Sequence, residues 1–156
     1  MFVTMRAVVQ RVSECSILIN GTEKKTMGIG FLVLLGVEQT DQEEDVLYLA
    51  NKISNMRIFS DHEGKMNLAL SDVRGSLMIV SQFTLFASTK KGNRPSFLQS
   101  AKPDTAIPLY ESFIDNCKKL CAPDSNIHTG VFGADMKISL TNDGPVTIIL
   151  DSKNKE

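Results

Sequence analysis

The sequence has no tryptophan, only two histidines and only three cysteines in 156 residues. The scarcity of cysteine and histidine bears on the chemistry available. Cys15, Cys117 and Cys121 are odd in number and lack framework spacing, which argues against a disulfide scaffold and fits a reducing compartment. Cys117 and Cys121 stand four apart with His128 beyond them, but no fourth ligand accompanies them. They read as small apolar core residues, and neither a metal nor another cofactor is expected. His62 falls in the charged turn Asp61-His62-Glu63-Gly64 and reads as solvated, while His128 reads as a partly buried strand residue. No imidazole is therefore marked out as a catalytic base. A Gly-x-Ser-x-Gly elbow and a His-Glu-x-x-His pair are also missing, and Gly28-Ile29-Gly30 lacks the third glycine of a dinucleotide fingerprint.

Long hydrophobic runs are missing too. The longest, such as Phe31 to Gly36, are far too short to cross a bilayer. Met1 to Arg6 shows no basic stretch followed by an apolar one, so no secretory leader is expected and a cytoplasmic location is. Met5 is a candidate start, which makes residues 1–4 an extension, 5–152 the folded domain and 153–156 a polar tail that frays. Charge of either sign is not in excess: 17 Lys and Arg against 18 Asp and Glu leave a net charge of -1. A protein that grips a long stretch of nucleic acid is usually basic overall, so any such contact here must come from a small local patch.

What is present is the balance of one ordinary globular domain, with 42% hydrophobic and 22% charged residues. Arg6 to Val12 and Cys15 to Ile19 alternate as strands, and Asn20-Gly21 signals a hairpin. Phe31 to Val37 reads as another strand. Thr40 with Glu43 and Asp41 with Glu44 form two overlapping capping boxes, which predict a helix with Val46, Leu49, Ala50, Ile53 and Met56 on its buried face. Leu77 to Val80 is a short apolar strand running into Ser81-Gln82-Phe83-Thr84-Leu85. Lys102-Pro103-Asp104 leads into a second helix, with Pro108 tolerable only in its first turn and Tyr110, Phe113, Ile114, Cys117 and Leu120 on its inner face. Residues 127–129, 136–141 and 146–150 read as strands. Hairpin signals outnumber strand–helix–strand units, so the expected class is α+β: a curved, largely antiparallel, barrel-like sheet flanked by two main helices in a single domain.

Two short segments carry the chemistry. Ser81-Gln82-Phe83-Thr84-Leu85 combines hydroxyls, strand-end N–H groups and an aromatic ring, which suit an oxyanion, a ribose and a base. Asn142-Asp143-Gly144-Pro145-Val146-Thr147 reads by composition as a turn between two strands. Lys90, Lys91 and Arg94 form the one dense basic cluster, either a solvated loop or a grip on phosphates.

Taken together, the two segments resemble the signature pair of the D-aminoacyl-tRNA deacylase family, Ser-Gln-Phe-Thr-Leu and a later Asn-x-Gly-Pro-(Val or Phe)-Thr. Further matches run from Met5 to Val12, from Lys91 to Phe97 and from Thr129 to Met136. The resemblance implies hydrolysis of D-aminoacyl-tRNA at the acceptor end, with Ser81, Gln82, Phe83 and Thr84 as the catalytic segment. It implies a homodimer in which a cis Gly144-Pro145 pair enters the partner's site and excludes L-aminoacyl groups, with Arg11 holding the pair and Phe132 and Met136 lining the pocket. Glycine, having no side chain, is expected to be cleaved as well. The missing base points to the substrate's own 2′-hydroxyl, with Thr84 as a nucleophile the alternative. A deacylase specific for L-alanine on the wrong tRNA is a weaker fit, because its motifs differ at Ser81, Phe83, Val146 and Ile148. A non-catalytic nucleic-acid-binding protein is the rival from another class.

Overall fold

Strand β1 (Arg6–Ile19) organises the sheet because it is long enough to carry two partners along one edge and one along the other. Its second half pairs with β2 (Glu23–Met27) and its first half with β3 (Gly30–Gly36), both antiparallel. The opposite edge pairs with β8 (Met136–Asp151), also antiparallel. The computed structural model describes residues 4–155.

From β3 the sheet continues in the other sense. Beside β3 lies β6 (Ser76–Ser81), parallel, and beside β6 lies β7 (Ile127–Thr129), again parallel. The crossovers are helices: α1 (Glu43–Asn55) joins β3 to β6, by way of the small hairpin β4 (Phe59–Ser60) and β5 (Met66–Leu68), and α2 (Pro103–Leu120) joins β6 to β7. The result is a nearly closed, barrel-like mixed sheet with two main helices, the expected α+β class with a parallel limb added.

That limb explains the continuous apolar runs. Phe31, Val33, Leu35, Leu77 and Ile79 pack into one core cluster with Val46, Leu49, Ala50 and Ile53 of α1 and Tyr110, Phe113 and Cys117 of α2. Alternate residues Leu32, Met78 and Val80 enter a second cluster with Val12, Cys15, Ile17 and Ile19. Strands buried on both faces have no polar side to show. In β1 Ser13 is an extra residue between the pairs Val12↔Asn142 and Glu14↔Thr141. This bulge lets Val12 before it and Cys15, Ile17 and Ile19 after it face the same cluster.

Several local expectations are corrected. Helix α1 starts at Glu43 with Gln42 as N-cap, and the Asp45 carboxylate accepts the Gln42 N–H at 2.8 Å. Neither predicted capping box forms, because Asp41 is buried and its carboxylate takes the Glu38 N–H at 2.7 Å. Leu120, the last residue of α2, is 45% exposed and not on its inner face. The predicted strands 136–141 and 146–150 are one strand, β8, interrupted by a protrusion. At the N-terminus residues 1–3 lie outside the described residues, as does Glu156. Thr4 is buried and its hydroxyl donates to Asp151 at 3.1 Å, so packing reaches back before Met5. Lys153 lies 3.4 Å from Asp41 and 3.8 Å from Asp45, tied to the start of α1.

Candidate active site

Strand β6 ends at Ser81, and the chain then tightens into a 3-10 turn over Phe83–Phe86. Gly36 permits this close approach, since a Cβ there would lie 2.9 Å from the Phe86 ring and 3.2 Å from the Gln82 carbonyl. The turn is pinned from three sides. The Gln82 N–H donates to the Leu35 carbonyl at 2.8 Å, the Ser100 hydroxyl to the Phe83 carbonyl at 2.7 Å, and the Arg6 guanidinium to the Leu85 carbonyl at 3.0 Å. The N–H groups of Phe83 and Thr84 open the turn, and among the described residues no acceptor takes them.

A cleft of about 350 Å³ lies beside this turn. Its walls include Leu35, Val37, Val80, Ser81, Gln82 and Phe83 together with Phe132, Gly133, Ala134, Asp135, Met136 and Ile138. Four sequence-predicted residues of the first segment and pocket, Ser81, Gln82, Phe83 and Phe132, therefore meet, with Met136 as a fifth. Thr84 is adjacent and exposed, and its hydroxyl accepts a hydrogen bond from the Gln82 amide. An amide N–H cannot take a proton, so this contact does not activate Thr84 as a nucleophile. Asp135 is the one ionisable side chain among the cleft walls, and Lys137 holds its carboxylate at 2.7 and 2.8 Å.

The second segment lies elsewhere. Gln10 pairs with Thr147 and Val12 with Asn142, so Asp143 to Val146 project from β8 opposite Arg11. Arg11 is 7% exposed; its Nε donates to the Asp143 carbonyl at 2.8 Å and its Nη1 to the Ile58 carbonyl at 2.6 Å. Asn142 closes the neck by accepting the Val146 N–H at 2.7 Å. The Gly144-Pro145 peptide bond is cis. Gly144 has φ 146°, and a Cβ there would lie 2.6 Å from Val146 Cγ2 and 2.8 Å from the Val146 nitrogen, so only glycine fits without displacement. Both residues are exposed at the tip, and neither lines the cleft of its own chain.

Lys90, Lys91 and Arg94 sit on an exposed loop closed by the reciprocal pair Ser88 and Ser96, at 2.8 and 2.9 Å. The next residue, Phe97, packs edge-on against Phe83 with ring centres 5.0 Å apart, which sets the basic loop beside the cleft. His62 is exposed in its turn, and His128 is half-buried in β7 opposite Met78. Burial pushes the Cys15 thiol up to about 11 and the Tyr110 hydroxyl up to about 12, and it raises Cys117 as well. Among the described residues no group of three His, Cys, Asp or Glu side chains stands together as a metal site. Sequence reasoning missed Arg6 and Ser100 as supports of the turn. Both act through side-chain hydrogen bonds to distant carbonyls, which leave no local pattern.

A sequence model of the family described as D-Tyr-tRNA(Tyr) deacylase matches residues 8–151. A D-aminoacyl-tRNA deacylase of Cytophaga hutchinsonii is 57% identical over 152 residues, covering 97% of this chain and 100% of that protein. The D-aminoacyl-tRNA deacylase of Bacteroides fragilis is 53% identical over 153 residues, with the same coverage. Among solved structures, a c-Myc DNA unwinding element binding protein superposes with a TM-score of 0.86 at 38% identity, over 94% of this chain and 97% of that one. A probable eukaryotic D-amino acid tRNA deacylase superposes with a TM-score of 0.80 over 96% of this chain and 100% of that one; at 18% identity it speaks for the fold alone.

Proposed function

The chain belongs to the D-Tyr-tRNA(Tyr) deacylase family, and we propose that it hydrolyses the ester joining a D-amino acid to the terminal adenosine of tRNA while sparing L-aminoacyl esters. The carrying observation is the separation of two rigid parts. Ser81, Gln82 and Phe83 line the cleft with Thr84 adjacent, and the Gly144-Pro145 tip of the same chain takes no part in its walls. A second copy of the chain supplies the missing part if its tip enters the cleft, which makes the working enzyme a homodimer.

The tip then acts by exclusion. The Gly144 and Pro145 carbonyls, on a tip braced by Arg11 at the Asp143 carbonyl and by Asn142 at the Val146 N–H, occupy the space an L side chain requires, whereas a D side chain points away from them. Rejection by a built-in clash needs no pocket for the accepted side chain, so many D-amino acids pass. Glycine passes too. Phe132 and Met136 bound the space near the aminoacyl group.

Hydrolysis needs water to attack the ester carbon, a donor for the oxyanion and a carrier for the proton. The unpaired N–H groups of Phe83 and Thr84 supply the donors. The 2′-hydroxyl of the terminal ribose takes the water proton and passes one to the departing 3′-oxygen as the C–O bond breaks. Thr84 binds in this scheme and forms no acyl intermediate.

The test is parallel incubation with D-Tyr-tRNA, L-Tyr-tRNA and Gly-tRNA, each with and without a chelator, and with D-Tyr-tRNA ending in 2′-deoxyadenosine. Cleavage of the D and glycyl esters, survival of the L and deoxy esters and indifference to chelator are expected. Rapid loss of L-Tyr-tRNA sinks the exclusion mechanism. Normal cleavage of the deoxy ester together with an inactive Thr84→Ala variant establishes the threonine nucleophile instead. Binding of tRNA without turnover leaves the non-catalytic reading.

A further inference from the structure

From Phe83 at the cleft rim the apolar surface continues onto Phe97 and Leu98, which the ester chemistry does not use. Leu98 is 84% exposed and Phe83 is 55% exposed. Phe97, next to Leu98 in the chain, meets the Phe83 ring edge-on at 5.0 Å. A single exposed leucine is ordinary, but Leu98 follows Phe97 in the chain and Phe97 meets Phe83 at the cleft, which makes an apolar step that water solvates poorly.

The step is held still. Gln39 donates from Nε2 to the Leu98 carbonyl at 2.8 Å, and the Ser100 hydroxyl holds the Phe83 carbonyl at 2.7 Å. The Ala101 N–H donates to the Val37 carbonyl at 2.9 Å. At the other end, the Ser88–Ser96 closure brings the loop of Lys90, Lys91 and Arg94 back to the chain one residue before Phe97. Among the described residues none of these three cations joins an ion pair. An apolar step bordered by unneutralised positive charge is the arrangement that holds single-stranded nucleic acid: bases rest on the apolar side chains while phosphates meet the cations.

We propose that Phe97 and Leu98 seat the base of the nucleotide preceding the terminal adenosine, with the Lys90–Arg94 loop on the adjoining phosphates. The inference rests on the reading of the cleft as an aminoacyl-tRNA site and adds a second base seat to it. Charge decides between this occupant and a second copy of the chain, because two such loops brought together would repel. It also explains how a chain with a net charge of -1 selects a long polyanion: it grips only the unpaired end.

The experiment is a cycle between protein and substrate. D-Tyr-tRNA is prepared intact and with an abasic spacer in place of the penultimate nucleoside base. Both are hydrolysed by the wild-type protein and by Leu98→Ser and Phe97→Leu. In the wild type, base removal should lower kcat/KM about tenfold, the scale of one stacked base. In either variant the intact substrate should already be slowed by a similar factor, and base removal should cost less than about twofold more. Penalties that multiply in full overturn the seat, as does a wild type indifferent to base removal. Leu98→Ser that dissociates the dimer and slows both substrates equally assigns the surface to a second copy. A wild type that leaves intact D-Tyr-tRNA untouched overturns the reading of the cleft itself, which separates that failure from failure of the seat. The Leu98 side chain stands almost wholly in solvent, so its replacement leaves folding intact, and melting curves verify this.

Discussion

Arg6 and Leu85 are 79 positions apart in sequence, yet the Arg6 guanidinium donates to the Leu85 carbonyl at 3.0 Å. The same side chain donates through Nε to the Asp151 carboxylate at 2.9 Å and lies over the Phe86 ring. One residue thus fastens the end of β8 and the 3-10 turn to the start of β1. Arg6→Ala should let the turn drift and misdirect the Phe83 and Thr84 N–H groups. A fall of about tenfold in kcat with little change in KM is expected, equal to about 1.4 kcal/mol of barrier. Arg6→Lys keeps the charge but loses the fork, so it should recover only part of the rate. Equal rates for all three proteins would show that the turn needs no such support.

The separation of tip and cleft makes complementation between subunits measurable. A chain carrying Phe83→Ala and Thr84→Ala is co-expressed with one carrying Gly144→Ala and Pro145→Ala. If each tip serves the partner, one of the two sites in the mixed dimer holds every lesion and the other none. About half the wild-type activity should return although both parents are inactive, counting the sites as independent. The restored site should spare L-Tyr-tRNA. A folded mixed dimer that stays inactive would place each tip in its own subunit's site.

Salt dependence reports the basic loop. Every phosphate that the loop no longer neutralises should reduce the slope of log affinity against log salt by about 0.7 to 0.9. The Lys90→Ala/Lys91→Ala protein should therefore bind D-Tyr-tRNA more weakly at low salt and with a shallower slope. A slope unchanged from wild type would mark the loop as merely solvated.

Asp41 should make stability depend on pH. Burial first, and then the neighbouring Asp45 carboxylate, push it from 3.8 up to about 6, against the opposing Glu38 N–H and Lys153 ammonium. A carboxyl raised on folding binds its proton more tightly in the folded state. Its ionisation therefore costs stability as pH rises from about 4 through about 6, and the cost is absent below that window. Asp41→Asn keeps an acceptor for the Glu38 N–H and removes the titration. Its stability relative to wild type, from urea unfolding, should improve by on the order of 2 kcal/mol between about pH 4 and about pH 7. Parallel profiles for the two proteins would show that Asp41 is not perturbed.

Much of this molecule is readable from its chain because much of it is locally dictated. Asn20-Gly21 makes the β1–β2 hairpin, with both residues at positive φ. The helical spacing of Val46, Leu49, Ala50 and Ile53 requires a core on one side, and those residues are buried. The two motif segments stand out because each packs unusual residues into a few positions. Tertiary structure decided the rest, through interactions between distant residues. Parallel pairing of β3, β6 and β7 leaves no turn signal, since its connections are whole helices. The N-cap moved from Thr40 or Asp41 to Gln42 because Asp41 was claimed by the Glu38 N–H and by Lys153 from the far end of the chain. Residues 142–147 read equally as a turn between two strands; pairing with β1 on both sides made them a protrusion of one strand. Arg11, buried in β1, braces that protrusion through the Asp143 carbonyl, a contact between residues 132 positions apart.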